Sequence, residues 1–210
     1  MIEIKNYTKK MKKREVLRDI TYTFQDGKIY GLYGRNGSGK TMLLRAICGL
    51  IFPTSGEIII DGQELHKEIE FPKSVGIIIE HMSLLPEYSG FDNLKILSEI
   101  NHNITDEDIY QSMELVGLDR DNKQKVKEYS LGMKQKLNIA QAIMEKPKIL
   151  LLDEPTNALD QETIKMVREV FLKLRDQGST ILIASHNQED LEILSDEILK
   201  MVDGKLIPEK

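Results

Sequence analysis

The chain has 210 residues, 40% hydrophobic and 30% charged, enough apolar material for a sizeable core under a soluble surface. That balance excludes disorder of the whole chain. A single cysteine, Cys48, excludes an intrachain disulfide scaffold and makes a reducing cytosol the expected compartment. A net charge of −5 argues against a general nucleic-acid binder. No apolar run approaches the roughly 18 residues needed to cross a bilayer, and no N-terminal stretch reads as a signal peptide. Any membrane role is therefore expected to work through a partner. The charge is uneven, because residues 1–50 hold 11 Lys/Arg against 4 Asp/Glu. Much of this excess is the run Lys9-Lys10-Met11-Lys12-Lys13-Arg14, which reads either as a solvated hairpin turn or as a positive potential beside a bound polyanion.

In chain order, Ile2 and Ile4, then Ile20, Tyr22 and Phe24, alternate with polar neighbours and predict half-exposed strands. Asp26-Gly27 marks a turn, and residues 29–33 form a short strand leading into a glycine-rich segment. Residues 42–50 predict a buried helix, with Pro53 just beyond it. Residues 57–60 followed by Asp61-Gly62 look like a hairpin arm, and residues 75–79 like a further strand. From 82 to about 145 the pattern is helical. Thr105 with Asp108 suits one helix start, and Ser130 caps another. Residues 148–152 predict a strand that is wholly apolar from Ile149 on, as in a parallel strand covered on both faces. Ile164, Val167, Phe171 and Leu174 form a helical stripe ended by Gly178. A strand at 180–184, a short helix at 188–194 and a hairpin turning at Asp203-Gly204 close the chain. The expected organisation is one α/β domain over 1–210. Its core, with antiparallel strands, comes from 1–81 and 146–210, and a helical subdomain is inserted over 82–145.

The segment Gly34-Arg35-Asn36-Gly37-Ser38-Gly39-Lys40-Thr41 fits G-x-x-x-x-G-K-[ST] between a strand and a helix. Glycines let backbone N–H groups converge on phosphate oxygens, and the following helix points its positive end at the anion. Lys40 can bridge the β- and γ-phosphates of a nucleotide, and the Thr41 hydroxyl can ligate Mg²⁺. Asp153 ends an apolar strand 113 residues after Lys40, where its carboxylate can approach the metal. Glu154, next along, can polarise an attacking water. The phosphate loop and this strand together predict a P-loop NTPase core of the RecA-like kind.

With these residues in place, the chain resembles the nucleotide-binding subunit of ATP-binding-cassette (ABC) proteins over nearly its whole length. Tyr129-Ser130-Leu131-Gly132-Met133-Lys134-Gln135 stands where that family carries its signature, usually L-S-G-G-Q. Asn157-Ala158-Leu159-Asp160 matches the D-loop, and His186 matches the switch histidine. The resemblance implies ATP and Mg²⁺ as ligands. It also implies a second ATPase subunit, identical or different, whose segment 130–135 covers the γ-phosphate held by the first. Several positions depart from the family. Met11 stands where an aromatic residue normally stacks on adenine, while Tyr7 falls four residues too early and is expected in a strand. Met42 replaces a common second hydroxyl. Glu80 occupies the Q-loop position near Mg²⁺, and Leu131 and Met133 replace Gly and Gln.

Val75-Gly76-Ile77-Ile78-Ile79-Glu80, Asp92-Asn93-Leu94 and the variant signature are similar to ATPases of ABC-2-type exporters, including those of bacitracin resistance and lantibiotic immunity. The resemblance thus implies an exporter ATPase on the cytoplasmic face of the membrane, driving an integral membrane permease. Leu84, Leu85, Phe91 and Leu94 are candidates for a groove receiving that permease, or for plain core of the helical insertion. Two other readings remain at this stage. One is a soluble ABC ATPase in a non-transport assembly, and the other is an ATP-binding regulatory module that barely hydrolyses. His66, His81 and His102 have no ligand-like spacing and are assigned no metal.

Overall fold

The computed structural model of the protein describes residues 1–79 and 84–208. Alternation at the N-terminus does what period-2 patterning requires, burying Ile2 and Ile4 while leaving Lys5 exposed. Strand β1 (Ile2–Met11) nevertheless runs well past the alternating residues, its register slipping repeatedly after Ile4. Strand β2 (Arg14–Phe24) returns antiparallel with Arg14 opposite Met11, so only Lys12 and Lys13 make the turn. The basic run is therefore mostly strand. Tyr7 is buried in β1.

Strand β3 (Ile29–Tyr33) leads into helix α1 (Lys40–Ile47). That helix starts two residues before the apolar stretch that predicted it, since Gly39 is its N-cap. It ends early because Gly49 turns the chain at φ +82°. Strands β4 (Ser55–Ile60) and β5 (Gln63–Glu64) complete a four-stranded antiparallel sheet ordered β2-β1-β4-β5. Asp61 and Gly62 both take positive φ in its tight turn, as two-residue hairpins demand.

The second sheet holds β3, β6 (Val75–Ile78), β7 (Ile149–Asp153), β8 (Thr180–Ser185), β9 (Glu197–Val202) and β10 (Lys205–Pro208). Its order is β10-β9-β3-β8-β7-β6, parallel except where β10 pairs with β9. Strand β7 is apolar without alternation because both of its faces are covered. Ile149 and Leu151 join the core shared with the antiparallel sheet and α1, whereas Leu150 and Leu152 join the core under the helices. Tyr22 and Phe24 of β2 meet Tyr30 of β3 edge-on, with centroids 4.9–6.2 Å apart, and stitch the two sheets together.

Between β6 and β7 come α2 (Gly90–Asn101), α3 (Asp106–Leu115), a 3₁₀ turn at Val126–Glu128 and α4 (Leu131–Ile143). Thr105 and Asp108 form a reciprocal capping box at α3, and the Ser130 hydroxyl accepts the Met133 N–H at α4. Helix α5 (Gln161–Asp176) buries the Ile164, Val167, Phe171 and Leu174 stripe and stops before Gly178 at φ +100°. Helix α6 (Gln188–Leu194) precedes β9. No helix among the described residues is long and apolar enough to cross a membrane.

The helical layer sits close on the sheet at Gly76, where an added Cβ would lie 1.9 Å from the Ala142 carbonyl oxygen of α4. Backbone meets backbone there, so neither side can yield cheaply. Gly76→Ala is expected to cost about 3 kcal/mol and lower the melting temperature by roughly 5–10 °C. An unchanged melting curve would show that α4 does not bear on β6. Cys48 is buried among apolar neighbours, and burial pushes its thiol up to about 11. At pH 8 it should react with a thiol reagent only after denaturation, and rapid labelling of the native chain would contradict this packing.

Candidate nucleotide site

In a parallel sheet the loops that follow the strands gather at one edge, and three of them meet here. Tyr33 of β3 pairs with Ser185 of β8, and Asp153 of β7 pairs with Ala184. The phosphate loop, Asp153-Glu154 and Ser185-His186 therefore emerge side by side. Gly34 has no room for a Cβ, which would fall 2.5 Å from the Met201 carbonyl oxygen of β9. Gly39, at φ +114°, lies where its Cβ would be 3.0 Å from the Val16 carbonyl oxygen of β2. Gly37, at φ +76°, faces open space, and Arg35, Asn36 and Gly37 form the exposed rim of the loop. Two glycines thus pin the loop from behind while the third leaves its front open.

The first bond within α1 runs from the Leu43 N–H to the Gly39 carbonyl, 2.9 Å, so the amides of Lys40, Thr41 and Met42 find no acceptor in the helix. They face the cavity with the positive end of the helix dipole. Lys40 is buried, and its Nζ donates to the Gly34 carbonyl at 2.6 Å. Ser38 is buried too, and its amide donates to the Arg35 carbonyl. Met42 lines the cavity and packs partly on the core of the antiparallel sheet.

The Thr41 hydroxyl donates to Asp153 Oδ2 at 2.5 Å. A hydroxyl and a carboxylate this close suit Mg²⁺, which takes one or two protein oxygens and completes its octahedron with phosphate and water. Glu154 follows at φ +50°, a left-handed turn that redirects the chain directly after Asp153. Its amide donates to the Ala184 carbonyl, 2.8 Å. Its Oε1 accepts the His186 amide at 3.0 Å and lies 2.7 Å from His186 Nδ1, and its Oε2 accepts the Ser185 hydroxyl at 3.3 Å. This pairing fixes the orientation of the imidazole, with Nδ1 on the carboxylate and Nε2 on the far side of the ring.

The signature region divides in two. Leu131 is 70% exposed, and Ser130 stands exposed as the cap of α4. Gly132 abuts its own chain, since an added Cβ would lie 3.0 Å from the Ala158 carbonyl oxygen. Gln135 likewise donates to the Pro155 carbonyl at 2.8 Å, and Met133 packs on the helical core. Asn157 donates its amide to the Glu154 carbonyl. Asp160 caps α5 through the Thr163 amide and hydroxyl, and these donors hold its carboxyl below the usual range.

A cavity of about 360 Å³ runs from Asp153 and Glu154 along the loop to Arg14, Val16 and Arg18 of β2 and to the Asp203-Gly204 turn. Met11 is 48% exposed at the hairpin tip and is not among its lining residues. Glu80 lies outside the described residues. Of the candidate groove residues, Leu94 is fully buried, Leu84 packs on the core and Phe91 stacks on Tyr110, which leaves only Leu85 exposed. Core packing therefore accounts for most of that cluster.

A model of the family described as ABC transporter matches residues 17–157. The chain belongs to the ABC transporter family. It is an ATP-binding ATPase domain of that family. It is 58% identical over 206 residues to the ABC transporter ATP-binding protein YybJ of Bacillus subtilis (strain 168), covering 98% of this chain and 94% of YybJ. It is 38% identical over 210 residues to the lantibiotic transport ATP-binding protein SrtF of Streptococcus pyogenes, covering 100% of this chain and 90% of SrtF. The solved dimeric structure of the ABC transporter cassette MJ0796 superposes with a TM-score of 0.89 at 24% identity, over 98% of this chain and 96% of that one. That likeness establishes the fold.

Sequence reasoning missed the part played by the closing hairpin. Asp203-Gly204 was legible only as a turn, yet the Gly204 N–H donates to the Ser38 carbonyl at 2.8 Å and the Gly204 carbonyl accepts from Arg18. Gly204 sits at φ +81°, with an added Cβ only 2.8 Å from the Val16 carbonyl oxygen. Gly204→Ala should displace this prop and weaken Mg·ATP binding roughly tenfold, in line with the loss of about one well-placed hydrogen bond and some backbone strain. Titration of a fluorescent ATP analogue would check this, and wild-type affinity would show that the loop holds its shape without the turn.

Proposed function

We propose that the chain is the ATP-hydrolysing subunit of an ABC exporter, working as a pair of cassettes that enclose two ATP molecules and drive a membrane permease from its cytoplasmic side. The observation that carries this is the convergence of Thr41, Asp153, Glu154, Ser185 and His186 beside the phosphate loop. The exposed Ser130 and Leu131 support a second role for the same surface, as a cap over a partner's nucleotide. The likeness to a lantibiotic transport ATP-binding protein favours a transporter over a soluble assembly.

In this reading the amides of the loop and of the first turn of α1 hold the phosphates, with Lys40 Nζ turning from the Gly34 carbonyl to the β- and γ-oxygens. Thr41 and Asp153, with Glu80 a further candidate ligand, would hold Mg²⁺, which would supply positive charge against that developing on the phosphates. Glu154 accepts a proton from water as the water oxygen bonds to the γ-phosphorus. The bond from that phosphorus to the bridging oxygen breaks, and the electron pair leaves with ADP. His186 holds the γ-phosphate through a ring N–H. Ser130, Leu131 and Gly132 of the second chain close the site, and Asn157 and Asp160 shape the loop between the two nucleotides. Met133 and Gln135 act within their own chain.

Glu154→Gln is expected to cut steady-state phosphate release at least about 100-fold, as removal of a general base does, while ATP binding persists. Unchanged turnover would remove Glu154 from the role of base. Purification of the tagged chain from gently solubilised native membranes should bring down a multi-span membrane protein in stoichiometric amount. Soluble companions alone would make a non-transport assembly the better account.

A further inference from the structure

A bound nucleotide must place its base somewhere along the cavity, and the phosphate end is already assigned by Lys40, Thr41 and Asp153. The opposite stretch is bounded by β2. The Val16 carbonyl lies behind Gly39, and Arg14 stands two strand residues from Val16, about 7 Å along β2. That is the span of a ribose. Arg14 lines this cavity, Met11 does not, and no aromatic side chain lines it among the described residues.

The surroundings leave the guanidinium free. Glu15, the nearest carboxylate in sequence, is held by Lys10 at 3.1 Å. Among the described residues the Arg14 guanidinium has no hydrogen bond or ion pair, and the residue is exposed. A planar, weakly hydrated cation at the base end of a nucleotide cavity has a definite use, because guanidinium groups lie flat on π faces. Contact through a π face is indifferent to the edge pattern that distinguishes one purine from another.

We propose that the Arg14 guanidinium is the platform on which the purine base lies, and that Arg14 rather than Met11 sets which bases the site accepts. This rests on the nucleotide placement proposed above. The site should therefore accept ATP and GTP with affinities within about threefold of each other, since stacking tolerates either base.

The test is calorimetric titration of the full chain and its variants with Mg·ATP, Mg·GTP and Mg·tripolyphosphate, the last carrying phosphates but no base. Arg14→Ala should weaken ATP and GTP roughly fivefold to tenfold and leave tripolyphosphate unchanged. Arg14→Lys, which keeps the charge and loses the plane, should behave like Arg14→Ala, while Arg14→Tyr should restore ATP binding. Lys13→Ala, removing a neighbouring exposed charge, should bind as the wild type does. Equal loss for ATP and tripolyphosphate, or full rescue by Arg14→Lys, would make Arg14 a phosphate contact and overturn the proposal. So would loss of ATP affinity in Met11→Ala with none in Arg14→Ala. If the wild-type chain bound neither ATP nor tripolyphosphate, the nucleotide placement itself would fall first. Matching thermal denaturation curves for the variants would separate lost contacts from lost folding.

Discussion

A phosphate loop must leave its amides unbonded and yet hold them still, and most of this structure follows from how that conflict is met. Free N–H groups cannot stiffen the loop by hydrogen bonding to one another, so rigidity comes from contact behind it. Gly34 lies against the Met201 carbonyl of β9, Gly39 against the Val16 carbonyl of β2, and the Ser38 carbonyl accepts the Gly204 amide. The three props come from both sheets and from opposite ends of the chain. The loop is thus the wedge between the sheets, and its shape depends on their relative position. The Tyr22, Phe24 and Tyr30 cluster and the Tyr22 hydroxyl bonded to Glu197 hold that position.

Much of this was legible because it is written in local patterns. Wholly apolar residues at 149–152 predict a strand covered on both faces, and the structure puts Ile149 and Leu151 in one core and Leu150 and Leu152 in the other. The spacing of glycines, lysine and threonine at 34–41 identifies a phosphate loop because few other chemistries need it. Thr105 and Ser130 cap the helices they were expected to cap, since an N-cap needs only a short polar side chain and the next turn. Each signal depends on residues a few positions apart.

What sequence reasoning could not reach depends on contacts across long separations. Nothing near Gly204 reveals that its amide props Ser38, 166 positions earlier in the chain. Met11 stands where the family resemblance places a base contact, yet it lies at a hairpin tip while Arg14 lines the cavity. Leu94 was open to two readings, permease groove by family resemblance or plain core, and its full burial makes it core. The basic run divided in the same way, with Lys12 and Lys13 in the solvated turn and Arg14 on the cavity.

The same dependence shows in how α4 meets the catalytic loop. Gln135 donates to the Pro155 carbonyl, one residue after Glu154, and Gly132 packs on Ala158 three residues later. In the proposed pair, α4 caps the partner's nucleotide while resting on the loop that hydrolyses its own. A shift of that loop on hydrolysis must move the cap over the other site. The hydrogen bond contributes about 1 kcal/mol, too little to transmit much force. The Gly132 contact adds to it, because a side chain at 132 would crowd the Ala158 carbonyl, 3.0 Å from a prospective Cβ. Glycine at 132 therefore leaves room for the Ala158 carbonyl to rest against α4, whatever its amide does for a phosphate.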